Sequence, residues 1–110
     1  MHDLPESARA ALAEVLPRAE RVDMIAPAVG SSLVLTNRRL VIVRDGASFR
    51  PTSGVRCFDL DDHLHVRIGP RLKRVIIEPT GETISLFIRP HQLQAVETLL
   101  AEVRRRIHSR

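Results

Sequence analysis

Residues 35–46 read LTNRRLVIVRDG. Three arginines and an aspartate are set into one of the most apolar runs of the chain. Two apolar segments, residues 33–36 and 39–44, flank Asn37 and Arg38. Asparagine tolerates a left-handed backbone, so the stretch reads as two strands joined by a tight hairpin turn. Alternation along the second strand places Leu40 and Ile42 on one face, and Val41 and Val43 on the other with Arg39. Arg38 then belongs to the turn, Arg39 to a partly apolar strand face, and Arg44 with Asp45 to the strand's exit. An arginine on such a face snorkels to the rim or pairs with a carboxylate. The three arginines are not expected to act together on one ligand.

Outward from this hairpin the chain reads as short strands separated by turn residues. Residues 21–28 form a strand whose Pro27 belongs at its end or on a sheet edge. VGSS (29–32) reads as a turn, and residues 44–54 as a loop rich in turn formers. Residues 55–60 alternate Val55, Cys57 and Asp59 against Arg56, Phe58 and Leu60. Residues 61–69 place Leu64, Val66 and Ile68 inward and His63, His65 and Arg67 outward. GPR (69–71) is a turn, residues 72–79 a strand and Thr80-Gly81 a turn. Residues 82–89 set Ile84, Leu86 and Ile88 against Thr83, Ser85 and Phe87. Both of those faces are partly apolar, so one is expected on the core and the other under a helix.

The two ends read as helices. At the C-terminus, Leu93, Val96, Leu99, Leu100, Val103 and Ile107 make one apolar stripe, with Pro90 in the first turn. Arg104, Arg105 and Arg106 fall in the last turn, where positive charge complements the helix dipole. At the N-terminus, Asp3 and Glu6 have capping-box spacing, and Pro5 suits an early helical position. Ala8, Ala11, Leu12, Val15 and Leu16 recur at helical spacing until Pro17 ends the segment. The expected division is an amphipathic helix over residues 1–19 and a domain over residues 20–110.

Composition limits the function classes. The chain has 110 residues, 44% of them hydrophobic, enough for one core and too apolar for disorder. No apolar run approaches the roughly 20 residues of a membrane-spanning helix. The N-terminus lacks the pattern of a secretory signal, and one cysteine allows no internal disulfide, so a cytoplasmic protein is expected. The net charge is +4. Residues 1–30 hold three Arg against five acids, whereas residues 31–110 hold 14 basic against eight acidic residues. Such a field favours anionic partners without choosing among them. Three Phe with no Tyr or Trp count against a stacking platform for single-stranded nucleic acid, and nucleic acid is not expected as a partner.

Seven short strands in hairpin succession, followed by one amphipathic C-terminal helix, resemble the order of a pleckstrin homology type domain. LTNRRLVIVRDG resembles the second and third strands of bacterial pleckstrin-homology-like (GRAM-like) domains, where T-x-x-R-L joins two apolar strands. RAERVDMIAPAV (18–29) resembles their opening strand. The resemblance spans about residues 20–107. It implies a mainly β fold with helices: a seven-stranded antiparallel barrel or sandwich of two nearly orthogonal sheets, capped by the C-terminal helix, with an extra N-terminal helix. The basic residues that many eukaryotic relatives carry in the first strand–strand loop are missing from AVGSS (28–32), so that lipid site cannot be carried over.

No constellation here supports catalysis. Cys57 reads as a small core residue, and His63 and His65 beside Asp61 and Asp62 lack the further ligands that zinc requires. No phosphate loop, Rossmann fingerprint or HExxH is present, so neither a cofactor nor a small-molecule substrate is expected. The primary candidate for an anion or partner surface is Arg67, Arg71, Lys73 and Arg74, crowded at one hairpin end. Arg38, Arg39, Arg104 and Arg105 are secondary. The expected function is a non-enzymatic binding or scaffolding module acting on a protein partner, including a second copy of itself. The alternative is peripheral binding to anionic lipid at the inner face of a membrane, through the basic hairpin end.

Overall fold

The structure, a computed structural model, describes Arg9, Leu12, residues 20–45 and residues 54–109. Seven strands run as β1 (Val22–Ala28), β2 (Ser31–Thr36), β3 (Arg39–Arg44), β4 (Val55–Asp59), β5 (His65–Ile68), β6 (Arg74–Glu78) and β7 (Ile84–Phe87). They form two antiparallel sheets with strand orders β1-β2-β3-β4 and β5-β6-β7. A helix, α1 (Leu93–His108), follows.

Period-two patterning brings the two sheets face to face. Leu33, Leu35, Leu40, Ile42 and Phe58 of the first sheet meet Val66, Val75 and Ile77 of the second. The α1 stripe of Val96, Leu99, Leu100, Val103 and Ile107 closes the same core. Each such side chain contributes about 1.5–3 kcal/mol when fully withdrawn from water. The first sheet is buried on its other face too: Val34, Val41 and Val43 are fully covered and cluster with Leu12. All six residues of β2 are therefore buried. The remainder of the expected helix over residues 1–19, including Asp3, Pro5 and Glu6, lies outside the described residues.

Several expectations need correction. The sheets do not close into a barrel: among the described residues no strand ladder joins them, and Val29 N–H to Phe87 O (2.8 Å) bridges them at one corner. The Asn37-Arg38 turn is present, but Asn37 does not adopt positive φ. Instead the buried Thr36 hydroxyl accepts the N–H groups of Arg38 (3.1 Å) and Arg39 (2.9 Å), and Asn37 Oδ1 accepts Arg21 N–H (2.6 Å). A side-chain-closed turn replaces the left-handed one. Ser31 and Ser32 belong to β2, so the β1–β2 turn shrinks to Val29-Gly30, with Gly30 at φ 72°. Likewise β5 begins at His65, leaving His63 in the preceding turn. Strand β6 begins at Arg74, and Pro70–Leu72 form a 3-10 turn. Pro90 opens a second 3-10 turn, Pro90–Gln92, ahead of α1. The second face of β7 is not covered by a helix among the described residues: Ser85 is exposed and Phe87 is 57% exposed.

Pro27 fits as expected, since β1 is an edge strand. A register shift between Val22 and Met24 inserts Asp23 as an extra residue. Its carboxylate meets Arg21, just ahead of β1, and Arg106 Nη1 of α1 (2.9 Å).

Candidate functional site

Three segments converge at one end of the molecule: the β1–β2 turn, the β5–β6 connection and the exit of β7. The β5–β6 connection is held tightly. Gly69 N–H donates to Arg74 O (2.8 Å), and Ile88 N–H donates to Lys73 O (2.9 Å). Gly69 is buried, and a Cβ there would meet Ile76 Cδ1 at 3.0 Å. Within this frame Arg71 (φ 62°) and Leu72 (φ 56°) adopt left-handed backbone. For residues with a Cβ, each such conformation costs on the order of 1–2 kcal/mol. They are the only non-glycine residues with positive φ among those described.

The result is a groove of about 520 Å³ beside an apolar tip. Val29, Leu72 and Phe87 line it together with Arg71, Lys73 and Arg89, and no carboxylate of the described residues does. Four large apolar side chains are exposed among the described residues, and these three are among them; Val22 is the fourth. Arg74 lies opposite Phe87 in the β6–β7 register, with its guanidinium carbon 4.9 Å from the ring centroid. Arg71, Lys73, Arg74 and Arg89 make no salt bridge among the described residues. A neighbouring depression shares Val29 and Phe87 and holds Arg44 and Asp45, whose charges cancel.

The other arginines that the sequence singled out are dispersed. Arg67 shares the outer face of the second sheet with Arg74, but its Nε donates to Glu78 Oε1 at 3.4 Å. Arg39 pairs with Glu20 (3.0 Å), whose side chain is 2% exposed. Burial works to raise the Glu20 carboxyl, but hydrogen bonds from Arg39 and Thr36 outweigh it and hold it below the ordinary range. Arg38 is exposed in its turn. Arg104 Nε donates to Val66 O (3.2 Å), and Arg105 pairs with Glu102. Arg71, Lys73 and Arg74 are thus brought together, while Arg67, Arg38, Arg39, Arg104 and Arg105 are not. Arg89, Leu72, Phe87 and Val29 join the site without having been singled out. A clue was present in the apolar second face of β7.

Cys57 is half-buried at the margin of the Leu12 cluster. Burial pushes its thiol up, away from the thiolate a nucleophile needs. His63 lines a shallow depression with Cys57, and its backbone N–H donates to Asp61 Oδ1 (2.9 Å). Among the described residues no group of three His, Cys, Asp or Glu could hold a metal ion. None of their helices is long and apolar enough to cross a membrane.

No protein-family model and no curated protein matches this chain. A solved structure does: the crystal structure of a pleckstrin homology domain from Shewanella amazonensis SB2B. It aligns over 86% of this chain and 92% of that one, with a TM-score of 0.56 and 14% identity. The fold is that of a pleckstrin homology domain. At 14% identity the likeness speaks to the fold alone, and a fold does not name a ligand.

Proposed function

We propose that this pleckstrin homology type chain is a non-enzymatic module that attaches peripherally to anionic membrane lipid through its Arg71–Lys73–Arg74–Arg89 end. One observation carries the reading: among the described residues, four cations without salt bridges gather around a groove that no carboxylate lines. Elsewhere among the described residues, Arg21, Arg39, Arg56, Arg67, Arg105 and Arg106 are engaged by acids of the same chain. Arg9, Arg38, Arg44 and Arg104 also lack a salt bridge among the described residues but do not line this groove, and the cluster at the groove offers its charge to an anionic surface. Near an acidic leaflet each Lys or Arg contributes about 1 kcal/mol, so four supply roughly three decades in partitioning. Sedimentation with phosphatidylglycerol-containing vesicles, but not with neutral phosphatidylcholine vesicles, is the expected outcome. Binding should weaken as salt is raised, because the Debye length falls from about 10 Å at 0.1 M to about 3 Å at 1 M. Equal binding to neutral and acidic vesicles would sink the reading.

A second reading, self-association, is favoured by an acidic corner. Asp59, Asp61 and Asp62 stand where β4 gives way to β5, without a salt bridge among the described residues. They could receive the basic end of another copy in a head-to-tail contact. Sedimentation equilibrium showing a strict monomer at high concentration counts against it.

A further inference from the structure

We propose that Leu72, Phe87 and Val29 form a preset apolar wedge that enters the acyl-chain boundary of an anionic bilayer. The wedge makes attachment depend on lipid packing as well as on charge. This rests on the membrane reading above and specifies how its site works. Three of the four large exposed apolar side chains of the described residues meet at one groove. Their exposures are 41% for Val29, 53% for Leu72 and 57% for Phe87. Contiguous exposed apolar surface ringed by charge marks a contact site. Along the groove itself the charged side chains among the described residues are Arg71, Lys73 and Arg89, all cations, with Arg44 and Asp45 in the adjoining depression. This selects a surface of dispersed negative charge with an apolar layer directly beneath it. A bilayer interface has that layering, with phosphates outermost and acyl chains below.

The backbone at Leu72 strengthens the case. A leucine at φ 56° is strained where glycine or asparagine would rest easily. Strain of this kind persists where the surroundings over-determine it, and it gathers at functional sites. The bonds Gly69 N–H to Arg74 O and Ile88 N–H to Lys73 O, with the close approach of Gly69 to Ile76, provide that frame. Leu72 is thereby held outward before any surface arrives, so insertion orders little new chain. Arg74 over the Phe87 ring keeps a cation at the collar of the wedge.

The chain contains no Trp or Tyr, so Phe87→Trp introduces a single reporter at the tip. With loosely packed, unsaturated phosphatidylglycerol vesicles, the indole emission should shift to the blue and be quenched by brominated acyl chains. Leu72→Asn, which keeps a residue suited to left-handed backbone, should weaken binding to those vesicles at least tenfold without changing the circular dichroism of the protein. Tightly packed saturated vesicles of equal charge should bind less well. Vesicle binding with no blue shift and no effect of Leu72→Asn overturns the wedge while leaving electrostatic attachment standing. No binding to any acidic vesicle overturns both readings. A blue shift that follows protein concentration without lipid assigns the face to a second copy and overturns the wedge.

Discussion

Thr36 shows how a single hydroxyl can decide a turn. Fully buried, it accepts two backbone N–H groups and donates to Glu20 Oε2 at 2.7 Å. Thr36→Val removes those partners and leaves a carboxylate and two amides short of a bond. We expect a loss of about 1–3 kcal/mol in urea denaturation, with Thr36→Ser largely retaining stability. An unchanged midpoint in Thr36→Val would show that the amides find other partners. At this scale the sequence is partly legible. The alternation that puts Arg39 on an apolar face leaves it either to snorkel to the rim or to pair with a carboxylate, and it pairs with one. That the partner is Glu20, 19 residues earlier, follows from sheet register and not from spacing. Leu72 at positive φ has no sequence signal at all, because nothing in GPRLKR marks a leucine for left-handed backbone.

Among the elements, α1 is the most predictable and the most consequential. Its stripe was read from periodicity, and Val96, Leu99, Leu100 and Val103 are fully buried. Leu99→Ala leaves a cavity between α1 and the sheets and should cost about 2–5 kcal/mol by chemical denaturation. A cost under about 1 kcal/mol would mean that the helix is loosely docked. The C-terminal turn of α1 adds a pH-dependent clamp. Glu102, bonded by Arg105 and Arg106, has its carboxyl drawn down from 4.5 to about 2. Arg106 also donates to Thr36 O (2.9 Å) and meets Asp23, whose carboxyl is lowered chiefly by Arg21. A carboxylate with a depressed folded-state pKa stabilises fully above its unfolded value and loses that contribution as pH falls through the folded one. Thermal stability should therefore decline from about pH 4.5 toward pH 2, and Glu102→Gln should flatten the lower part of that decline. An identical acid profile in Glu102→Gln would contradict the clamp. Turns were less legible than helices, because one can close through a side chain, as at Thr36, or through strain, as at Leu72.

Over the whole molecule, seven strands and a terminal helix were enough to imply the sheet pairing but not its closure. Antiparallel hairpins follow from local patterning, whereas barrel closure needs a ladder between segments distant in sequence. Among the described residues the sheets have the single backbone bond from Val29, in the β1–β2 turn, to Phe87 of β7 at a corner. The candidate site was half legible for the same reason. Arg71, Lys73 and Arg74 are neighbours in sequence and were visible together. Arg89, Phe87 and Val29 arrive from other hairpins, so only the fold adds them. Arg67 was drawn away by Glu78, its diagonal neighbour on the adjoining strand. What separates this end from the rest of the surface is local concentration of charge and not the net charge of +4.

That distinction can be measured by comparing Lys73→Glu with Arg38→Glu. Both substitutions change the net charge by the same amount at exposed positions, one beside the groove and one in the turn at the far end of β2. If attachment runs through the proposed end, Lys73→Glu should lower partitioning onto phosphatidylglycerol vesicles roughly 30-fold, while Arg38→Glu should change it by no more than about threefold. Equal losses from the two substitutions, or none from Lys73→Glu, would contradict the account.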